Sequence, residues 1–354
     1  MNKFSVYTII LMFTLGSLFL GCEKSSNDSS TGNDNSAGYS GSNPGGGGNG
    51  NGDGDGGGLI ITPPEDTTTT AGNLSVTSGL SYPTRIAEGI NGELYIADTL
   101  QNSVFIMDDR KNIVGQLKNL NRPSGIAVDE AGSVYVGNTQ GGNRIEIFEF
   151  DLIDKSAKKT GIINAPVSFP GDMEFDRNGN LFIADLKGDQ VVVLSAKGEV
   201  INSFSVADPS SLAIAYRVDG GSEVGELFVT GRKDGKISVF DLQGNLLRTF
   251  GGKRTSRTAE QCGGLFSVPQ GVAADAAGRV YVLDTSMAIV QAFNLEGGEY
   301  IYKGYFGALG KAEGELFTAQ DVIKTRNGDL IVANAGNRRL EFFTQGDIGT
   351  ELCK

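Results

Sequence analysis

The chain has 354 residues, with 42 acidic and 30 basic side chains and a formal net charge of −12. This acidity argues against a nucleic-acid-binding protein, which needs a basic face. The sequence contains no His and no Trp, so it lacks the usual imidazole base and the commonest metal ligand. A serine nucleophile paired with a histidine base is therefore excluded.

Residues 1–21 have the pattern of a secretory signal. An apolar run from Val6 to Leu20 follows a short polar start, and it is shorter than the roughly 20 residues that a spanning helix needs. The run ends at Gly21 and Cys22 and resembles a bacterial lipobox, although Phe19 stands where that pattern prefers Leu. The resemblance implies that Cys22 is the lipidated first residue of the mature protein; plain secretion is the alternative.

Residues 22–72 predict a disordered tether after the lipidated cysteine. The segment consists mainly of Gly, Ser, Asn, Asp and Thr, a composition that cannot bury a hydrophobic core. As a Gly-rich coil it would reach on the order of 40 Å, enough to hold a domain clear of a lipid surface.

Residues 73–354 repeat one motif six times. In its clearest copy, residues 123–148, three short β runs are separated by a tight turn and a polar loop. This order is typical of a β-propeller blade. The spacing of the copies suits four strands each, and we therefore predict an all-β, six-bladed β-propeller with four-stranded antiparallel blades. The second strands of the copies end at Asp98, Asn138, Asp185, Gly231, Asp284 and Asn334.

Two further features predict how the blades turn and how the ring closes. Asp129 and Gly132 frame an Asp-x-x-Gly motif between the first two strands, in which the Asp accepts backbone N–H groups and the Gly takes a left-handed conformation. After Phe343 the sixth copy lacks an outer strand. We expect Leu74 to Thr77 to supply it and to join the two ends of the propeller.

The repeated pattern Pro-x-Gly-Ile-Ala-Val-Asp-x-x-Gly-x-Val-Tyr-Val-Ala-Asp, followed by Asn-x-Arg-Ile-x-Val-Phe, resembles the NHL repeat family. The resemblance covers about 270 residues and is strongest in the second, third and fifth copies. WD40 repeats do not fit because their His and Trp are absent. The resemblance implies a propeller with a binding surface and does not imply one particular function.

Candidate functional residues are those that depart from the repeat at the mouth of the ring. Glu174 replaces the Ala of most copies, and an unpaired buried carboxylate is costly. One interpretation is an ion-pair network of Arg85 with the acids, with Glu174 hydrogen-bonded locally. The other is a mouth that binds a small polar ligand or a calcium ion. At the position held by Gly125 and Gly271, the other copies carry Arg85, Asp172, Ser211 and Asp321.

The calcium ligands in the second interpretation would be Asp172, Glu174 and Asp321. Residues at the ends of the second strands could join them, although Asp and Asn there belong to the repeat and are expected to cap the following loop. These residues are Asp98, Asp185, Asp284 and Asn334.

Six-bladed propellers related to this pattern include lactonases that hold calcium through Glu, Asn and Asp, and lyases that hold zinc through His. The absence of His excludes the second type of site. We expect a binding or scaffold protein that uses one face for an envelope protein or glycan and has no catalysis of its own. The alternative is a calcium-dependent, lactonase-like hydrolase.

The predicted location is the bacterial cell envelope, as an outer-membrane lipoprotein facing the periplasm or the cell surface. The partners would be the lipid bilayer, through Cys22, and an envelope protein or glycan, but not nucleic acid. Cys262 and Cys353 are the two remaining cysteines. In an exported protein they would form a disulfide or remain as two free thiols.

Overall fold

The computed structural model describes residues 74–76, 79–140, 144–255, 263–344 and 348. Within these residues the strands form six separate sheets of four antiparallel strands each. The prediction of a six-bladed, four-stranded propeller is confirmed. Strand β1 covers Leu74–Val76 and precedes the first complete blade.

In the first five blades, the strands follow one another in the chain from the innermost to the outermost. The first blade contains β2 (Pro83–Glu88), β3 (Leu94–Asp98), β4 (Ser103–Met107) and β5 (Ile113–Leu117). The second contains β6 (Pro123–Val128), β7 (Val134–Asn138), β8 (Arg144–Asp151) and β9 (Ser156–Asn164). The third contains β10 (Pro170–Phe175), β11 (Leu181–Asp185), β12 (Gln190–Leu194) and β13 (Val200–Ser205).

The fourth and fifth blades keep the same order. The fourth contains β14 (Pro209–Asp219), β15 (Ser222–Gly231), β16 (Lys236–Asp241) and β17 (Leu246–Gly251). The fifth contains β18 (Pro269–Ala274), β19 (Arg279–Asp284), β20 (Ile289–Glu296) and β21 (Glu299–Phe306). The sixth contains β22 (Asp321–Lys324), β23 (Leu330–Asn334), β24 (Arg339–Phe343) and β1, with a 3₁₀ turn at Ala335–Asn337 before β24.

Antiparallel pairing sorts the connections onto two ends of the ring. The loops between second and third strands share one end with the links from blade to blade. We call this end the mouth face. The hairpin turns between first and second strands, and between third and fourth strands, lie at the other end, which we call the opposite face.

The hairpin turns have the predicted chemistry. One Asp129 carboxylate oxygen accepts the N–H groups of Ala131 (3.0 Å) and Ser133 (2.8 Å), and Gly132 has φ +85°. In the fourth blade Gly220 and Gly221 both have positive φ, which matches the two-residue turn of a long hairpin. The acidic residue of the motif is therefore a turn former.

The ring closes through the two ends of the propeller sequence. β1 pairs antiparallel with β24, with Leu74 opposite Phe342 and Val76 opposite Leu340. The expected closure by Leu74 to Thr77 is confirmed for Leu74–Val76. Because the first strand of the chain completes the last blade, the two ends cannot separate without breaking a sheet.

The core is divided into six clusters, one at each junction between neighbouring blades. Each cluster contains facing residues of two blades and at least one apolar residue from the connection that links them. The largest of these link residues fills the mouth-face end of each junction, so the links between blades also contribute to the core. The six residues are Leu80, Leu120, Val167, Val206, Phe266 and Leu316.

Several sequence predictions lie outside the described residues. They are the signal of residues 1–21, lipidation at Cys22, the tether of residues 22–72 and the pairing of Cys262 with Cys353. In the part of the chain that the structure describes, no helix is long and apolar enough to cross a bilayer.

Candidate functional site

The side chain of Arg85 lies across the mouth of the central channel. Its Nε donates to the carbonyl oxygen of Gly171 (2.9 Å), and its Nη1 donates to those of Gln320 (2.7 Å) and Thr84 (3.0 Å). Its Nη2 donates to the carbonyl oxygen of Ser210. Besides Thr84 on its own strand, the guanidinium reaches the inner strands of the third and fourth blades and the residue just before the inner strand of the sixth.

Asp172 accompanies Arg85 on the rim and is fully engaged by the protein. Its Oδ1 lies 3.5 Å from Arg85 Nε and accepts the N–H of Met173. Its Oδ2 accepts the hydroxyl of Ser211 (2.7 Å) and the N–H of Leu212 (2.9 Å). Burial raises the pKa of Asp172, while Arg85 and the three hydrogen bonds oppose that rise.

Asp321 is the second rim acid that faces Arg85. Its Oδ1 lies 3.8 Å from Arg85 Nη1, and its Oδ2 accepts the N–H of Ile86 (2.9 Å). Burial raises the pKa of Asp321 to about 7, with Arg85 lowering it and Asp172 raising it further. The ion-pair network that the sequence suggested for Arg85, Asp172 and Asp321 is thus present in the structure.

Glu174 differs from the expectation. The ion-pair interpretation expected a local hydrogen bond for it, but its carboxylate makes no hydrogen bond with any described residue. It lies two residues beyond Asp172 on β10, on the same side of the strand. Burial, together with repulsion from Asp172 and Asp321, raises its pKa to about 8. Glu174 lacks a hydrogen-bond donor because the equivalent positions of the other five blades carry Ala or Ile side chains.

The rim acids do not have the arrangement that calcium needs. Asp172 and Asp321 face the positive charge of Arg85, where a cation would be repelled. Among the described residues, no group of three or more His, Cys, Asp or Glu side chains could hold a metal ion. Calcium binding by Asp172, Glu174 and Asp321 would require Arg85 to leave the channel.

The acids that end the second strands hold the mouth-face loops together. Asp98 accepts the N–H groups of Ser81 and Tyr82, and Asp185 does the same for Ser168 and Phe169. Each of these carboxylates also accepts an N–H from the loop that follows its own strand. Their lone pairs are therefore used for loop structure.

The same role recurs in the fifth and sixth blades. Asp284 accepts four backbone N–H groups, including those of Ser267 and Val268, and burial raises its pKa. Asn334 accepts the N–H of Phe317 and donates to the carbonyl oxygen of Glu315. The capping that the repeat predicts accounts for all of these residues.

The two faces of the ring differ in charge. In the described loops of the mouth face, nine residues are basic and five are acidic. In the turns of the opposite face, six are basic and ten are acidic. A chain of net charge −12 therefore presents its positive side at the mouth. The basic residues there are Lys118, Arg122, Lys187, Arg232, Lys233, Lys253, Arg254, Lys311 and Arg338.

A cleft of about 620 Å³ opens on the mouth face at the junction of the first and second blades. A second cleft of about 430 Å³ lies beside it toward the outer strands, and the two share Gln116, Lys118 and Asn119. We call the two neighbouring clefts together the amide cleft. Its remaining polar lining in the larger part consists of Gln101, Asn102, Ser103 and Asn121.

Neither the reach of Arg85 nor the amide cleft was predicted from the sequence. The repeat pattern predicts the rim position of Arg85, but the path of its side chain across the channel depends on the closed ring. A signal for the cleft was available: the loop and the link of the first blade are rich in Asn and Gln. The equivalent link after the second blade, residues 165–169, has the sequence Ala-Pro-Val-Ser-Phe and contains no Asn or Gln.

No family model matches the chain, and no curated protein matches it in sequence. Solved structures do resemble it. A streptogramin B lyase aligns with a TM-score of 0.53 and 13% identity, over 76% of this chain and 95% of that one. A gluconolactonase from Xanthomonas campestris aligns with a TM-score of 0.55 and 16% identity, over 76% and 88%. A protein of unknown function from Bacteroides thetaiotaomicron aligns with a TM-score of 0.56 and 14% identity, over 77% and 72%.

These similarities agree with the propeller fold described above. At such identities they do not carry an activity to this chain. The NHL-type repeat and the lipoprotein signal remain predictions from the sequence.

Proposed function

We propose that this protein is an extracytoplasmic binding protein, anchored through Cys22, which recognises a protein or glycan partner through its mouth face and catalyses no reaction. The observation that carries the proposal is the position of Arg85. Its guanidinium covers the channel mouth and engages the carboxylates of Asp172 and Asp321. The groups that a hydrolase would turn toward a substrate are thereby committed to the protein.

The charge of the loops supports the mouth face as the surface that meets the partner. Its nine basic side chains against five acids favour a partner with a polar or anionic surface, since complementary charge raises the rate and the specificity of association. The loops of the mouth face also vary in length from blade to blade. The link at residues 206–208 is short, whereas the link at residues 307–320 is long. Loops on a rigid scaffold are the usual place of recognition.

The experiment compares two charge-reversal variants of the full chain. One carries Lys233→Glu and Lys311→Glu on the mouth face; the matched control carries Arg110→Glu and Lys197→Glu on the opposite face. All four side chains are exposed. Cross-linking in the native envelope, followed by mass spectrometry, should recover one partner with the wild type and the control and at least tenfold less of it with the mouth variant. Equal recovery with both variants would overturn the choice of face.

A calcium-dependent hydrolase is the second candidate, and Glu174 is the observation that favours it. Its carboxylate is unpaired within the described structure and lies in a fold that a gluconolactonase also uses. The two candidates separate in a thermal-shift titration with calcium. A shift that is lost in the Asp172→Asn, Asp321→Asn double variant, together with hydrolysis of a lactone, would favour the enzyme. No shift with any divalent ion favours the binding protein.

A further inference from the structure

The amide cleft is a shallow depression, widely open to solvent, whose volume matches that of a small-ligand site. Its larger part holds about 620 Å³, within the range of roughly 300–1,000 Å³ of such sites. Its smaller part runs on toward Glu146, Phe148 and Lys159 on the outer strands of the second blade. A ligand of several linked rings could therefore span both clefts from the mouth face to the outer wall.

The lining is dominated by side-chain amides. Five of the eight residues around the larger part are Asn or Gln, and only one, Lys118, is charged. An amide presents a donor and an acceptor in one plane, so it can bond two neighbouring hydroxyl groups at once. The amides are Gln101, Asn102, Gln116, Asn119 and Asn121.

Part of this lining is held in place by the protein. Gln116 Nε2 donates to the hydroxyl of Ser103 (2.8 Å), which donates to the carbonyl oxygen of Gln101 (3.0 Å). Asn102 Oδ1 accepts the N–H of Arg122 (3.0 Å). Ser103 is buried, so this chain of hydrogen bonds fixes the floor of the cleft before any ligand binds.

Other amides at the cleft are free to bind. The side chains of Asn119 and Asn121 are exposed and make no hydrogen bond with any described residue. Asn119 has φ +60°, a left-handed conformation in its link that Asn tolerates better than other residues with a side chain. The cleft thus combines a fixed floor with two unpaired amides at its edge.

We propose that the amide cleft binds an oligosaccharide. The inference rests on the binding function proposed above and names the partner class for one site on the mouth face. Sugar hydroxyls each donate and accept, which matches the unpaired amides of Asn119 and Asn121 better than it matches a carboxylate or a cation. The one lysine, Lys118, would contact a hydroxyl or an acidic substituent of the same chain.

A protein partner fits the cleft less well. Protein interfaces concentrate their binding energy in aromatic and other apolar side chains near the centre. The large apolar residues at the cleft, Leu117, Leu120 and Phe148, are each less than 9% exposed. They lie beneath the polar lining and provide no protruding anchor for a second protein.

The test measures binding of the full chain to one array, which carries neutral and acidic oligosaccharides together with a set of peptides. The cleft variant is Asn119→Gly with Asn121→Ala, where glycine preserves the left-handed backbone at residue 119. The matched control is Asn91→Ala with Asn327→Ala, two exposed asparagines of the opposite face. We expect the wild type and the control to bind the same oligosaccharide and the cleft variant to bind it at least tenfold more weakly at an unchanged melting temperature.

The outcomes separate this inference from the broader proposal. Binding of peptides alone, or of oligosaccharides with equal affinity by wild type and cleft variant, overturns the cleft as a sugar site and leaves a mouth-face binding protein standing. If the wild type retains none of the oligosaccharides on the array, the proposal that the protein binds an oligosaccharide is wrong. As a direct readout, titration with the captured oligosaccharide should shift the side-chain amide NMR signals of Gln116, Asn119 and Asn121 and leave that of Asn327 in place.

Discussion

Arg85, on the innermost strand of the first blade, donates a hydrogen bond to the carbonyl oxygen of Ser210, on the innermost strand of the fourth. In a ring of six these blades stand opposite each other. The bond therefore crosses the channel, and further bonds from the same guanidinium reach the third and sixth blades. One side chain both closes the mouth and ties the inner strands together.

Replacing Arg85 with Met should destabilise the ring strongly. The change leaves the buried Asp172 and Asp321 without their countercharge and removes donors from four carbonyl groups. Removing one partner of a buried ion pair costs about 3–5 kcal/mol. Urea unfolding should show that loss in the free energy of unfolding.

Two comparisons make this result specific. Arg177→Met, at an exposed pair with Glu223, should cost about 1 kcal/mol or less. Adding Asp172→Asn and Asp321→Asn to Arg85→Met should recover much of the loss, because the orphaned charges are then gone. A single Arg85→Met variant as stable as wild type would contradict the bridging role.

Glu174 should make the folded protein less stable as the pH rises. Its pKa is about 8 in the fold against an ordinary 4.5, so the folded state holds the proton more tightly than the unfolded chain. The resulting stabilisation is complete below pH 4.5 and is lost as the pH rises to 8. Glu174→Gln should therefore match wild type near pH 4.5 and exceed it at pH 8. Because Glu174 is only partly buried, solvent screens part of the effect of this pKa difference, and the excess should be on the order of 2 kcal/mol.

The measurement is the free energy of unfolding from pH 4.5 to pH 8.5. Some dependence should persist in the Glu174→Gln variant, because the pKa of Asp321 is also raised, to about 7. Glu130→Gln, on an exposed turn of the opposite face, serves as the control and should keep the wild-type slope. If Glu174→Gln also keeps that slope, the carboxylate is solvated and the argument fails.

Removing residues 73–77 should weaken the closure of the ring. The deletion takes away β1, which pairs with β24, but keeps Leu80 in its core cluster. Losing a few strand hydrogen bonds at about 1 kcal/mol each should lower the melting temperature by roughly 5 °C or more. A deletion of residues 40–44 in the predicted tether should leave it unchanged, and equal melting of the two variants would argue against closure by β1.

Gly115 on β5 should not tolerate a side chain. A Cβ at this position would lie 2.1 Å from the ring of Phe150, which belongs to the second blade. Gly115→Val should therefore cost about 1–3 kcal/mol through overpacking, measured by urea unfolding. Gly252→Ala, whose Cβ would meet nothing closer than 3.4 Å, is the control, and a harmless Gly115→Val would show that the two blades separate easily here.

The sequence alone determined the blades, their turns and the closure. These features depend on patterns a few residues long, such as the turn of Asp129 and Gly132, and on the count of copies, which left one strand to be supplied by Leu74–Val76. Such patterns repeat, so each copy supports the interpretation of the others. Comparison of the copies also placed Arg85, Asp172, Glu174 and Asp321 on the channel.

Only the tertiary structure decided what those side chains do. Whether Arg85 pairs with its neighbours or spans the ring depends on the width of the channel, which no local pattern encodes. Glu174 lacks a donor because five other blades contribute Ala or Ile beside it. The amide cleft combines Lys118 and Asn119 of the first link with Glu146 and Lys159 of the second blade. Contacts between distant segments require the closed ring, and they determine the surfaces that remain available for binding.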